Sequence, residues 1–122
     1  MSVEMEAEIE GLEEFQQKME RADASLRESV QQRLTELANS IKETAQQLAP
    51  ARTGYLRSTI YAQIENWKVR VGAHAPYAAY VEHGTRFMRG RRFLSQALET
   101  YLPQLESVIG LAVGEALKEA NM

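Results

Sequence analysis

Residues 56–73 read LRSTIYAQIENWKVRVGA, and their periodicity decides the fold class. Leu56, Ser58, Ile60, Ala62 and Ile64 alternate with Arg57, Thr59, Tyr61, Gln63 and Glu65, while Val69, Val71 and Ala73 alternate with Lys68, Arg70 and Gly72. Period two describes a strand with one face toward a core and the other toward water. Two such runs meeting at Asn66-Trp67 predict a hairpin, although the turn lacks the favoured Asn-Gly pair.

Upstream the period is helical. Leu26, Val30, Leu34, Leu37, Ile41, Ala45 and Leu48 recur every three or four residues, one apolar stripe on a helix of about seven turns. Asp23 or Ser25 is placed to cap its start, with Glu28 completing a capping box after Ser25. Pro50 stops it, because the residue before a proline is pushed out of helical geometry. Before it, Val3, Met5, Ala7 and Ile9 alternate with Glu4, Glu6, Glu8 and Glu10. This is a strand whose glutamate face is solvated or meets a basic surface. Gly11 ends that strand, and Leu12, Phe15 and Met19 begin a further helix.

Downstream, residues 86–92 (RFMRGRR) read as an arginine-rich loop. A last helical stretch runs from about Phe93 to Ala120, where Pro103 should kink or divide it. Gly110 and Gly114, one turn apart, leave room for another backbone. The expected fold is α+β: a small, mostly antiparallel sheet of the N-terminal strand and central hairpin, packed by two long helices. Its edges call for pairing or cover, which points toward an oligomer.

With 122 residues the chain is expected to form one domain, residues 1–122. It has no cysteine and a net charge of −3, so neither a disulfide framework nor a thiolate metal site is available. No apolar run is long enough to span a bilayer, and the acidic N-terminus lacks a signal-peptide layout. The chain is therefore expected to stay where it is made. Its charge is segregated: residues 1–51 carry 11 acidic and five basic residues, residues 52–92 eight basic and two acidic, and residues 93–122 four acidic and one basic. Such a pattern suits self-association or docking on a patterned partner.

Residues 76–85, PYAAYVEHGT, hold the most reactive-looking side chains. Pro76 suits the first position of a two-turn helix and Gly84 the left-handed position after its end. On that helix Tyr77, Tyr80, Val81 and Gly84 share one side, read as the buried one. Glu82 and His83 are neighbours that do not face each other, so no acid–base pair is built; they are left near the helix end, where one can reach a turn or a neighbouring subunit. His74, His83 and Glu82 are too few, and wrongly spaced, for a zinc site. Ser58 lacks a nucleophile elbow, and no glycine loop suits a phosphate. No catalytic residue, metal or cofactor is expected. Arg86, Arg89, Arg91 and Arg92 around Phe87 are the candidate contacts for DNA or an acidic protein face.

In order and spacing these segments resemble the head-to-tail joining (neck, or tail-completion) proteins of long-tailed bacteriophages and prophages. The likeness is carried by GLEEF at 11–15, the Leu-Ala-Pro ending at Pro50, and Thr53, Gly54, Tyr55 and Leu56. It continues through Tyr77, Ala78, Tyr80, Val81, Glu82, Gly84 and Thr85 to Phe93, Leu94 and Ala97. Arg52 stands where members carry Asp; Arg92 and Gln96 stand where many carry proline, which suggests a more helical start to the last segment. The resemblance implies a non-enzymatic virion part at the head–tail junction, assembled in the host cytoplasm. It would form a homo-oligomeric ring that lets the genome pass, with neighbouring neck, connector and tail proteins as partners and non-specific contact with packaged DNA. Two other readings stay open from the residues: a nucleic-acid-binding module using Arg86–Arg92, and a small acid–base enzyme needing a third polar group beside Glu82 and His83.

Overall fold

The computed structural model describes residues 1–50 and 54–120. The central alternation forms β2 (Ile60–Glu65) and β3 (Lys68–Ala73), antiparallel and joined at Asn66-Trp67. Both turn residues have positive φ, 51° and 68°, the twist that two-residue hairpins favour. Neither is glycine, and helix α1 (Leu12–Arg21) holds them there. Gln16 Nε2 donates to the Asn66 carbonyl at 2.8 Å, and the Phe15 and Trp67 rings meet at 80° with centroids 5.6 Å apart. Tertiary contacts thus supply what an Asn-Gly turn supplies locally.

Strand β1 (Val3–Glu6) pairs antiparallel with the other side of β3, giving the order β1-β3-β2. The register sets Val3, Ala73 and Ile60 in one row and Met5, Val71 and Ala62 in the next, so the apolar residues share one face. On the other face Arg70 lies among Glu6 at 3.3 Å, Glu4 at 3.9 Å and Glu65 at 2.8 Å. The glutamate face therefore meets a cation of its own sheet. The hydrogen bond to Glu6, with the carboxylates around it, holds Arg70 above its ordinary value. Beside it Gly72 is a steric requirement: a Cβ there would come within 2.5 Å of the Tyr61 hydroxyl. The Tyr61 ring crosses that gap to donate to Glu4 Oε2 and stacks on His74 at 4.4 Å.

Helix α2 (Ala24–Leu48) buries Val30, Leu34, Leu37, Ile41 and Ala45 of its sequence stripe together with Ala38, whereas Leu26 is half-buried and Leu48, at the helix end, is exposed. Asp23 is the cap, accepting from Leu26 N at 2.8 Å, so the alternative box from Ser25 to Glu28 is not used. The helix ends at Leu48, before Pro50 as expected. One expectation fails just beyond it. Residues 56–58 are not strand but part of a helical turn, α3 (Tyr55–Ser58), entered through Gly54 at φ 73°. Thr59 N donates back to the Tyr55 and Leu56 carbonyls, and Thr59 Oγ1 to Leu56 O at 2.8 Å. A three-residue alternation fits either geometry, and these local bonds choose the turn.

The arginine-rich segment is likewise more than a loop. Helix α4 (Ala78–His83) leads directly into a small hairpin of β4 (Gly84–Thr85) and β5 (Met88–Arg89). Last comes α5 (Phe93–Ala120), continuous through Pro103. Pro103 lies on the exposed side, where the carbonyl deprived of its donor can be hydrated, so the proline does not divide the helix. Gly110 and Gly114 have nothing within 4 Å of a notional Cβ; no backbone among the described residues uses the room they leave.

Helix α2 packs along α5 and across β2 and β3, with α1 against α5. Phe15, Leu34, Ile41, Val71, Phe93, Leu94 and Leu105 are fully buried between these layers, each contributing roughly 1.5–3 kcal/mol of apolar burial. The outer edges of β1 and β2 have no strand partner among the described residues.

Burial, with the hydrogen bond to the Glu4 carboxylate, pushes the Tyr61 phenol up to about 12. The folded chain holds this proton more tightly than the unfolded one. The associated stability is complete below about pH 10 and is lost as pH rises from about 10 to about 12. Tyr61→Phe is expected to cost about 0.5–1 kcal/mol at neutral pH and to lose this part of the alkaline decline. Urea unfolding of both proteins across that range checks it, and parallel curves would contradict the assignment.

Candidate functional site

The chemistry-bearing stretch around residue 80 is organised by burial of one carboxylate. On α4 the inward residues are Ala78 and Glu82, one turn apart. Small Ala78 lets the helix sit close to its neighbours, and Ala79 N donates to Met1 O at 2.9 Å. The tyrosines therefore turn outward: Tyr77 is 39% and Tyr80 52% exposed, with Val81 half-buried. The buried side expected from the sequence is reversed, because the space behind α4 admits a methyl group and a hydrogen-bonded carboxylate but no tyrosine ring.

Glu82 is 1% exposed, the single buried charged residue among those described. Its Oε1 accepts from Leu94 N at 2.8 Å, and its Oε2 accepts from the Ser95 hydroxyl. Both donors lie in the first turn of α5, whose first helical bond runs from Gln96 N to Arg92 O. Arg92 occupies the N-cap position at φ 49° and has no acceptor in its side chain. Glu82 takes over the capping role from another element, placing a negative charge at the positive end of the helix dipole. It therefore reaches neither a turn nor a neighbouring subunit. Gln96 supplies an N–H that a proline would lack, in keeping with the expected helical start.

The hairpin is clamped to the same point. Arg91 N donates to Val81 O at 2.7 Å and Arg92 N to Glu82 O at 3.1 Å, satisfying carbonyls at the end of α4. Gly84 lies at φ 84°, ψ 177°, an extended region open essentially to glycine, rather than the helix-capping left-handed conformation expected. A Cβ at Gly84 would meet Gly90 N at 2.4 Å, and one at Gly90 would meet Glu82 O at 2.6 Å. Thr85 Oγ1 accepts from Phe87 N and Met88 N, both at 3.1 Å, shaping the hairpin tip.

These elements enclose a largely apolar groove of about 480 Å³ lined by Pro50, Leu56, Tyr77, Val81, Met88, Arg89 and Arg91. Tyr55 adds an exposed ring 6.4 Å from that of Tyr77. Among the described residues no ion pair engages Arg86, Arg89 or Arg91, whereas Arg92 pairs with Glu99 at 2.6 Å. Arg86 lies 5.0 Å over the Phe87 ring, which is 83% exposed. Of the residues singled out from sequence, Pro50, Leu56, Tyr77, Val81, Arg89 and Arg91 come together here. Glu82, Gly84, Thr85, Phe93 and Leu94 support the groove from behind or below, with Phe93 and Leu94 in the core. Gly54 turns the chain into α3, Tyr80 faces outward, and Thr53 lies outside the described residues. Met88, Gly90 and Ser95 were not singled out; Ser95, three residues after a capless Arg92, carried the one local signal.

The family described as "Bacteriophage HK97-gp10, putative tail-component" matches residues 13–84, more than half of the chain. The chain belongs to this family. No curated protein and no solved structure gave a match. The shared region of this HK97-gp10-like chain runs from α1 to the end of α4, and so covers Pro50, Leu56, Tyr77 and Val81 of the groove wall. It ends before the arginine hairpin. Among the described residues no group of His, Asp or Glu side chains is arranged to hold a metal. His74 is stacked on Tyr61, and Glu82 is committed to α5. No described helix is long and apolar enough to cross a membrane.

Glu82→Ala is expected to destabilise the fold by about 2–3 kcal/mol, since two donors at a helix start lose their acceptor. Glu82→Gln should cost about 1 kcal/mol less, because its carbonyl still serves Leu94 N. Thermal unfolding of the two variants checks the order; equal losses would rule out the capping role.

Proposed function

We propose that this chain is a non-enzymatic structural component of the virion that works at the head–tail junction. In this reading it forms a homo-oligomeric ring joining head to tail, with the genome passing through. The observation that carries the reading is the apolar groove with Tyr77 and Met88 on its walls and Arg89 and Arg91 at its rim. Tyrosine, methionine and arginine are the side chains enriched where proteins meet. Membership of a tail-component family and two sheet edges with no strand partner among the described residues support the same reading. Neighbouring neck, connector and tail proteins are the partners it implies, and the virion its place.

A second reading is favoured by one feature, the exposed Arg86–Phe87 tip, which suits phosphate contact and base stacking. Under it, the chain binds bare duplex DNA with an affinity that falls steeply as salt is raised.

Replacing Arg89 and Arg91 together by serine is expected to leave helical circular dichroism and thermal unfolding unchanged. It should lower the yield of joined particles at least about tenfold, a loss of about 1.4 kcal/mol in contact free energy. Unjoined heads and tails would accumulate in electron micrographs. Normal joining by this variant would overturn the assembly reading of the groove.

A further inference from the structure

We infer that the groove receives the exposed face of α5 around Leu111 from a second copy of the chain. The inference rests on the ring reading and names the two surfaces that would build the ring. Leu111 is 70% exposed and Leu117 42%, on a helix whose Leu105, Ile109, Ala112 and Ala116 are in the core. Gly110 and Gly114 flank Leu111 with nothing within 4 Å of a notional Cβ, so the backbone there can come close to a partner wall. An apolar knob on a narrow helix face, entering a groove floored by Leu56 and Val81, is a common recognition geometry.

Charge selects this occupant. Residues 52–92, which carry the groove's arginines, hold eight basic and two acidic residues; residues 93–122 hold four acidic and one basic. Glu115 lies one turn after Leu111 and therefore on the same face. Its partner is Lys118 at 3.5 Å, both largely exposed, a pair weak enough to exchange for Arg89 or Arg91. Those two arginines have no ion-pair partner among the described residues.

Distance makes the contact intermolecular. Arg91 precedes the first residue of α5 by two positions, and Leu111 lies eighteen positions along the helix, roughly 27 Å at 1.5 Å per residue. A rigid helix cannot fold its far half into a groove at its own start. Two different surfaces at opposite ends of one element give a head-to-tail contact, which closes into a ring when the rotation permits.

The absence of cysteine from the sequence allows a direct test. Met88→Cys on the groove wall and Leu111→Cys on α5 both alter exposed side chains. Mixed and oxidised, the two single variants should give the mixed disulfide in clear excess over Met88→Cys with Gln17→Cys, an exposed control on α1. The double variant should give a covalent ladder ending at the subunit number of the native ring. Arg91→Glu and Glu115→Arg should each weaken self-association about tenfold, and together restore it. A native oligomer that cross-links no better than the control overturns the inference and leaves the ring reading standing. A chain that stays monomeric up to millimolar concentration overturns both. Protection of the Met88→Cys thiol from alkylation by duplex DNA, and not by added chain, would assign the groove to nucleic acid and overturn the inference as well.

Discussion

A carboxylate removed from water must be given hydrogen bonds or the fold loses several kilocalories per mole, and the arrangement around Glu82 follows from that constraint. Its oxygens are met by Leu94 N and the Ser95 hydroxyl at the start of α5. This ties α4 to the longest helix at one point. With α4 so placed, its carbonyls at Val81 and Glu82 accept from Arg91 and Arg92, which brings the hairpin back over the helix end. That return needs two glycines in contact, Gly84 and Gly90, since a Cβ on either would collide with backbone. The groove is the space left in front of this knot.

The same constraint commits Glu82, in the richest cluster of reactive side chains, to holding the start of α5. Glu82 has both oxygens engaged by Leu94 N and the Ser95 hydroxyl, and its neighbour His83 does not face it. His83 is exposed at the helix end, and His74 belongs to the outer face of the sheet with Tyr61. What the arrangement does produce is an exposed aromatic and arginine surface on a rigid base. That is the chemistry of contact, and it agrees with a family of tail components.

Much of the fold was legible in the residues because hydrophobic period reports one-sided burial directly. The long stripe, buried from Val30 to Ala45, and the alternations at 3–9 and 60–73 each bury a face that the period identifies. The hairpin at Asn66-Trp67 was legible in place, although the contacts that hold its positive φ values come from α1. Residues 56–58 form a helical turn where their alternation suggests strand, because three alternating positions cannot separate the two. Pro103 did not divide α5, since a proline on a solvated face forfeits a bond that water can replace. The candidate site was legible as a set of residues but not as a surface. Helical spacing puts Tyr77 and Tyr80 on one side with Val81, which reads as the buried side, whereas the space behind the helix fits alanine and a bonded carboxylate.

The sequence by itself determined the long helices, the N-terminal strand and the central hairpin, with the face each buries, and the segregation of charge along the chain. These depend on neighbours within a few positions, and so on periodicity, caps and breakers. Only the tertiary structure decided that Glu82 caps α5, that Arg70 answers the glutamates of β1, and that Pro50, Leu56, Tyr77 and Met88 border one groove. In these contacts Glu82 and Leu94 are 12 positions apart and Glu6 and Arg70 64, and the groove draws on segments from Pro50 to Met88. Their partners are chosen by packing of whole elements, a property that no local pattern encodes.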